Sequence, residues 1–301
     1  MYIRIGYEFQ FDLTSPTHMV LMLHTHPDRA HLLQRPERMH VEPEARIDSF
    51  LDTFGNRCAR LMGPAGKLKL WYDNVIWDSG HREPGIEGLR LHPVDELPND
   101  LIRYTMGSRY CEVDRIGAMA WDLFGKTPAT HERVAAVMDW VHTNVQFGYK
   151  FARHNKTAYD TWYERKGVCR DYQHLAITIL RALNIPARYA SGYLGDIDAP
   201  PCPLPGDFSA WMEVFLGGQW ATLDARHNTP RVGRVLMARG RDATDVALTT
   251  SFGPAKLEKF RVWTEPVGDD IVAQPDAMLA PPAAIPVVTA ASTLVPFPVA
   301  A

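Results

Sequence analysis

Hydrophobic and polar positions alternate from the first residues of the chain. Tyr2-Ile3-Arg4-Ile5-Gly6-Tyr7-Glu8-Phe9 has the period of a strand with one buried face. Thr17 to Thr25 is a second β-rich run, and 58–62 and 67–77 read as further short strands between Gly and Pro. Residues 1–95 therefore form an all-β unit whose spacing suits an antiparallel sandwich or barrel. The segment 92–100, HPVDELPND, is polar and proline-containing, which marks a linker. Beyond it the period becomes helical. Thr127-Pro128 is a helix start, and Val134, Val137, Met138, Val141 and Val145 make one apolar stripe. A second helix begins at Cys169, with Val168, Tyr172, Leu175, Ala176, Ile179, Leu180 and Leu183 at helical spacing. Asn184, tolerant of the left-handed cap, and Pro186 end it. Strands at 187–194, 209–216 and 219–224 follow, the last two joined by the hairpin signal Gly217-Gly218. The expected class is α+β: the β-unit, then helices packed on an antiparallel sheet over 100–265. An Ala/Pro-rich tail over 270–301, uncharged from about 277, closes the chain as an irregular extension.

Composition narrows the function. A chain of 301 residues, 46% hydrophobic and 22% charged, is an ordinary globular protein long enough for two cores. A net charge of -3 gives no reason to expect nucleic acid or an anionic membrane as partner. The four cysteines, Cys58, Cys111, Cys169 and Cys202, lie far apart without a C-x-x-C pair, which argues against a disulfide framework or thiolate zinc site. The N-terminus lacks the continuous apolar core of a signal peptide, and no apolar run of about 18 residues is free of proline or charge. A reducing cytoplasm is the expected location. His24 and His26 share one face of a strand and are metal-ligand types. With no carboxylate or cysteine at ligand spacing, they read as exposed polar residues of a half-buried strand. No metal or organic cofactor is expected, and the oligomeric state is not legible.

The candidate chemistry centres on Cys169. A thiol in the first turn of a helix meets unpaired backbone N–H groups, which favour its thiolate, and Gly167 lets the backbone approach closely. The bland alternative is a packed structural cysteine. The hairpin adds a second element. With Gly217 and Gly218 as turn residues, Leu216 pairs with Gln219, Trp211 with Asp224 and Ser209 with Arg226. Ser209 and Asp224 are then diagonal neighbours on one face, and Ala210, Met212, Val214, Leu216, Ala221 and Leu223 make the other, apolar face. The Cys169 helix packed on the Ser209/Asp224 face, with an imidazole between thiol and carboxylate, makes a cysteine-activation triad.

These segments resemble the transglutaminase-like core, a papain-related fold. The resemblance rests on Lys166-Gly167-Val168-Cys169-Arg170-Asp171-Tyr172, on Leu183-Asn184-Ile185-Pro186-Ala187-Arg188-Tyr189 with Ser191-Gly192-Tyr193-Leu194, and on the hairpin Ser209 to Asp224. The block Asp224-Ala225-Arg226-His227-Asn228 with Gly240-Arg241-Asp242-Ala243 is similar to a bacterial subgroup that has an N-terminal β-domain. The resemblance implies Cys169 as nucleophile and Asp224 as the acid. The family's base histidine falls on Ser209, and serine cannot take a thiol proton near neutral pH as imidazole does. Among other histidines, His227 follows Asp224 by three residues. A continued ladder points it to the opposite face, and strand termination at Arg226-His227-Asn228-Thr229-Pro230 is the route back. His174 reads as turned away on the Cys169 helix, and His154 lies in a loop.

Five arginines between 226 and 241 read either as a clamp for substrate carboxylates or as surface charge paired with Asp242 and Asp245. Surface pairing is the reading for most of them; Arg226, opposite Ser209, is placed at the site. Trp211, Trp220 and Trp162 read as core side chains before substrate platforms; Trp211, opposite Asp224, is placed to do both by shielding the site from water, and Trp211 and Trp162 are the aromatic candidates for substrate contact. Two functions follow. One is a thiol enzyme that acts on a peptide or protein amide through a Cys169 thioester, by hydrolysis rather than amine transfer. The other is a catalytically disabled relative that binds a peptide or partner protein in the same cleft.

Overall fold

A computed structural model describes residues 1–201 and 206–272. Cys202 and most of the tail expected over 270–301 lie outside the described residues.

The alternation at the N-terminus gives the strand Tyr2–Leu13, with Ile3, Ile5, Tyr7, Phe9, Phe11 and Leu13 buried on one side. It pairs antiparallel with Gly66–Trp77 and, on its other edge, with Ala255–Val267. His40–Glu42 completes this sheet. A second antiparallel sheet runs Thr249–Ser251, Thr17–Leu21, Arg57–Gly63, Asp48–Leu51. Met19, Leu21, Ala59 and Leu61 from it join the odd-numbered side chains of the first strand in one apolar cluster. Both sheets are thus closed by strands from beyond residue 248, which correct the expected assignment of everything over 100–265 to the second unit. A central strand with two buried edges needs two partners, and the N-terminal segment supplies only one.

The second unit is helical on one side. The helix Cys169–Ala182 is buried at every position from Asp171 onward. Val113–Phe124, His131–Asn144 and Ala158–Glu164 cover it, and a sheet ordered Gln219–Leu223, Phe208–Leu216, Ala187–Tyr193, Val235–Gly240 backs it. The helix expected at Thr127-Pro128 starts later, at His131, because the Thr130 hydroxyl caps it by accepting the Glu132 N–H at 3.2 Å. Asn184 takes the left-handed conformation (φ 62°) that ends the Cys169 helix. Gly217 and Gly218 both have positive φ, 57° and 82°, as a tight hairpin turn of matching twist requires, and pairing runs from Leu216↔Gln219 to Met212↔Leu223. The structure is α+β with antiparallel sheets, as the pattern predicts. Among the described residues no helix is long and apolar enough to cross a membrane.

The far end of the hairpin sheet enters the β-unit. Tyr193, Phe208, Val235 and Met237 belong to the same apolar cluster as the first strand. Gly192 sits at that junction, where the pairing with Val235–Gly240 shifts register. A Cβ there stands 2.0 Å from the Val235 carbonyl oxygen and 2.9 Å from the Trp211 ring. The neighbour is backbone and cannot step aside, so Gly192→Ala is expected to destabilise the protein by about 2–3 kcal/mol. Equilibrium urea unfolding measures this; a change under about 0.5 kcal/mol contradicts the close packing.

Candidate active site

The start of the Cys169 helix is built by one carboxylate. Asp171 folds back and accepts the Val168 N–H at 2.9 Å, which caps the helix and fixes Cys169 as its first residue. This fold-back dictates the glycine before it: a Cβ on Gly167 stands 2.6 Å from the Asp171 Cβ. The Gly-Val-Cys-Arg-Asp run is therefore a geometric unit that presents the thiol.

The helix packs on the Ala210/Met212/Val214/Leu216 face of the hairpin, with Leu175, Ala176, Ile179 and Leu180 in the same cluster, and not on the Ser209/Asp224 face as expected. The apolar face takes the apolar helix. The polar groups meet instead at the open end of the ladder. Pairing stops at Met212↔Leu223, the strand Phe208–Leu216 runs on past it, and Cys169 lies beside the uncovered backbone N–H of Ala210. The other chain turns: Asn228 N–H donates to the Asp224 carbonyl at 2.8 Å, with Asn228 at φ 50°.

That turn gathers donors on the Asp224 carboxylate. Gln173, one turn along the helix from Cys169, donates to Oδ1 at 2.9 Å, and the Ala225 N–H returns to the Gln173 side-chain oxygen at 3.2 Å. The backbone N–H groups of Arg226 and His227 also reach Oδ1, at 2.9 and 3.3 Å. Oδ2 receives Arg234 Nη2 at 2.9 Å and His227 Nδ1 at 2.8 Å. His227 therefore comes back to the acid, through the strand termination that alone could bring it there. The strand ends at Leu223, so the alternation that opposes His227 no longer applies.

The other expected residues fall as follows. Ser209 is buried, and its hydroxyl has no hydrogen-bond partner; it does not bond Asp224. Arg226 is not in a ladder opposite Ser209 but in the turn, with its guanidinium 3.7 Å from the centre of the Phe147 ring. Trp211 is buried with Ala190 and Leu236, under the Arg234 guanidinium. Trp162 stacks on Trp140 at 4.7 Å in the helical core. His174 is fully buried, stacked on Tyr110 and close against Tyr189, and accepts the Ala243 N–H at 3.1 Å. His154 offers its carbonyl to the Tyr110 hydroxyl. His24 and His26 are buried, not exposed on a strand, because the strand ends at Leu21. His24 Nδ1 lies 3.3 Å from Glu37, and His26 Nδ1 accepts the Asp28 N–H. Of the arginines, Arg241 pairs with Asp245 at the surface as expected, whereas Arg231 and Arg234 are buried.

A sequence model of the transglutaminase-like superfamily matches residues 118–225. A solved structure of a candidate cysteine protease from Cytophaga hutchinsonii superposes with a TM-score of 0.76 at 31% identity, covering 88% of this chain and 90% of that one. An uncharacterized protein of Mycobacterium leprae is 28% identical over 217 residues, 70% of this chain and 77% of the relative. One from Mycobacterium tuberculosis is 38% identical over 92 residues, 27% of this chain and 29% of the relative. The chain belongs to the transglutaminase-like superfamily. Within the superfamily pattern quoted above, this member carries serine at position 209 and holds an imidazole on its acid from position 227.

The electrostatics of this transglutaminase-like site run against a resting thiolate. Cys169 keeps some solvent access, but the protein packed around it pushes the thiol up to about 11, with Asp207 adding to the rise and Arg226 opposing it. The expected helix-start stabilisation is thus outweighed by burial. Burial would also raise Asp224, but Arg234 and His227 hold it well below the usual carboxylate range, so it stays charged. Sequence reasoning missed three participants. Gln173 was detectable as a polar residue one turn from Cys169 on an otherwise apolar helix face. Arg234 reads from its residue type only as surface charge. Asp207, which burial pushes up to about 6, precedes the hairpin strand by one residue and carried no pattern signal.

Asp207 makes the balance testable. Its folded value lies above the ordinary 3.8, so folding favours the protonated acid. Stability from this group is full below about pH 4 and is lost as pH rises toward 6. Asp207→Asn is expected to raise stability by up to about 2–3 kcal/mol above pH 6 and by nothing below pH 4. The pH profile of Cys169 alkylation by iodoacetamide shifts to lower pH in the same variant. Thermal melts across pH check the first outcome; an unshifted alkylation profile contradicts the second.

Proposed function

We propose that this transglutaminase-like protein is a thiol hydrolase of amide or peptide bonds in which Cys169 is the nucleophile, His227 the base and Asp224 the orienting acid. The observation that carries this reading is the 2.8 Å contact from His227 Nδ1 to Asp224 Oδ2, in a turn that Gln173 ties to the nucleophile helix. Asp224 takes Nδ1–H and leaves Nε2 for chemistry. A thiol held near 11 is protonated at neutral pH, so its proton must leave as the new bond forms. In the first step Nε2 takes the thiol proton and sulfur bonds the amide carbon. The C–N bond then breaks, and the imidazolium returns that proton to the leaving amine. In the second step Nε2 takes a proton from water, oxygen bonds the thioester carbon, the C–S bond breaks, and the proton passes back to sulfur. In this reading, backbone N–H groups at the start of the Cys169 helix help to hold the oxyanion. Part of the His227 side chain is open to solvent, so water reaches the base directly. The name of the Cytophaga relative agrees with peptide chemistry.

The disabled-relative reading rested on the lack of an imidazole at position 209. An imidazole on the acid from position 227 removes that ground. Hydrolysis of a panel of peptide anilides is expected to fall about 100- to 10,000-fold in His227→Ala and to vanish in Cys169→Ala. Ser209→Ala is expected to stay within about threefold of the wild type, because its hydroxyl bonds nothing. Loss in Ser209→Ala with retention in His227→Ala overturns the assignment. A fluorescent primary amine added to the assay is expected to leave the acid as main product; its incorporation assigns transfer instead.

A further inference from the structure

A cleft of about 440 Å³ opens on the face of the hairpin sheet turned away from the Cys169 helix, between Trp211, Glu213 and Thr222 and the segment 78–84. Five arginines line it: Arg29, Arg82, Arg231, Arg234 and Arg239. Most are neutralised in place. Arg29 pairs with Asp78 at 3.2 Å, Arg82 with Asp198 at 2.6 Å, and Arg239 with Glu213 at 3.0 Å and with Asp28. Arg234 pairs with Glu83 and with Asp224. Glu213 is shared with Arg188 at 2.6 Å.

Arg231 differs. It is 8% exposed, and its guanidinium donates to the Gly195 carbonyl at 2.8 Å, while Glu83 accepts its backbone N–H rather than its side chain. Its Nε has no partner, and neither do the buried Arg29 Nε and Arg234 Nη1. Asp196, Asp224 and Glu83 act on it only through space, and burial depresses its pKa. Three lining guanidinium groups with unspent donors, one of them buried without a carboxylate on its side chain, are costly unless something else supplies the acceptor.

We propose that this cleft binds the carboxylate group of a ligand, with Arg231 as its principal partner. A planar, singly charged group matches the guanidinium fork. A phosphate dianion carries more charge toward Asp78, Glu83 and Glu213, which already line the cleft. The carboxylate comes either from a peptide C-terminus or from a free organic acid. The binding does not rest on the thiol chemistry proposed above and is read without turnover.

Calorimetric titration of the full chain at constant ionic strength tests it, with N-acetyl-Ala-Ala acid, the same dipeptide as its amide, and acetate. The acid is expected to bind saturably and at least about tenfold more tightly than the amide, a difference of about 1.4 kcal/mol. Arg231→Gln and Arg29→Gln are each expected to weaken it about tenfold or more, and Cys169→Ala to leave it unchanged. Should Arg231→Gln fail to fold, Arg29→Gln decides, since that side chain is 32% exposed. Acetate binding equal to the dipeptide assigns free acids; weaker acetate binding assigns a chain terminus. No saturable binding of acid or acetate, equal binding of acid and amide, or binding untouched in folded Arg29→Gln overturns the proposal.

Discussion

A buried carboxylate is the constraint on which the site depends. Asp224 is 4% exposed and charged, and a charge so placed is tolerable only when its lone pairs are filled. Five donors fill them: Gln173, the N–H groups of Arg226 and His227, the His227 ring and Arg234. They come from three parts of the architecture. Gln173 brings the Cys169 helix, the two N–H groups and the His227 ring belong to the turn after the hairpin, and Arg234 comes from the segment leading into the strand Val235–Gly240. Removing one partner leaves part of a buried charge unanswered, at a cost of about 3–5 kcal/mol for a broken buried pair. Stability and site geometry are therefore coupled here: the carboxylate that these contacts keep charged is also the partner of the His227 ring.

The same carboxylate joins two surfaces of the hairpin sheet. On one side the apolar residues Ala210, Met212, Val214 and Leu216 pack the Cys169 helix. On the other, Glu213 lines the arginine cleft, with Trp211 beneath Arg234. Arg234 spans from that cleft to Asp224, so charge placed in the cleft lies one guanidinium away from the acid. At the thiol the opposing influences are burial and Asp207 against Arg226 and the Ala210 N–H, and burial wins. A site so balanced keeps its thiol protonated until a base acts, which suits proton transfer concerted with attack.

Much of this was legible in the residues. The glycine pair fixed the hairpin register and helical spacing the Cys169 helix; alternation marked the first strand, and β-rich runs bounded by Gly and Pro marked three more, because each signal is local. Two features were not local. The strand Ala255–Val267 has a register shift at Gln10/Phe11 that leaves Glu258 unpaired, so its buried side chains change parity between Leu257 and Phe260 and the period of two is broken. Likewise the position of His227 depended on where a strand stops. Parity along a ladder placed it on the wrong face, and only the turn closed by Asn228 onto the Asp224 carbonyl returns it to the acid. The packing face of the helix follows the same logic: the polar pattern at Ser209 and Asp224 points to one face, whereas burial of Ala210, Met212, Val214 and Leu216 decides for the other.

In the proposed mechanism the imidazole of His227 serves the thiol of Cys169 while Asp224 holds its other nitrogen. Nitrogen-15 NMR of the histidine side chains, before and after alkylation of Cys169, reads both contacts. Neutral His227 is expected to carry its proton on Nδ1 in the wild type, to lose that preference in Asp224→Asn, and to show a shifted Nε2 resonance once Cys169 is alkylated. A His227 ring protonated on Nε2, or one whose Nε2 resonance is unmoved by alkylation of Cys169, contradicts it.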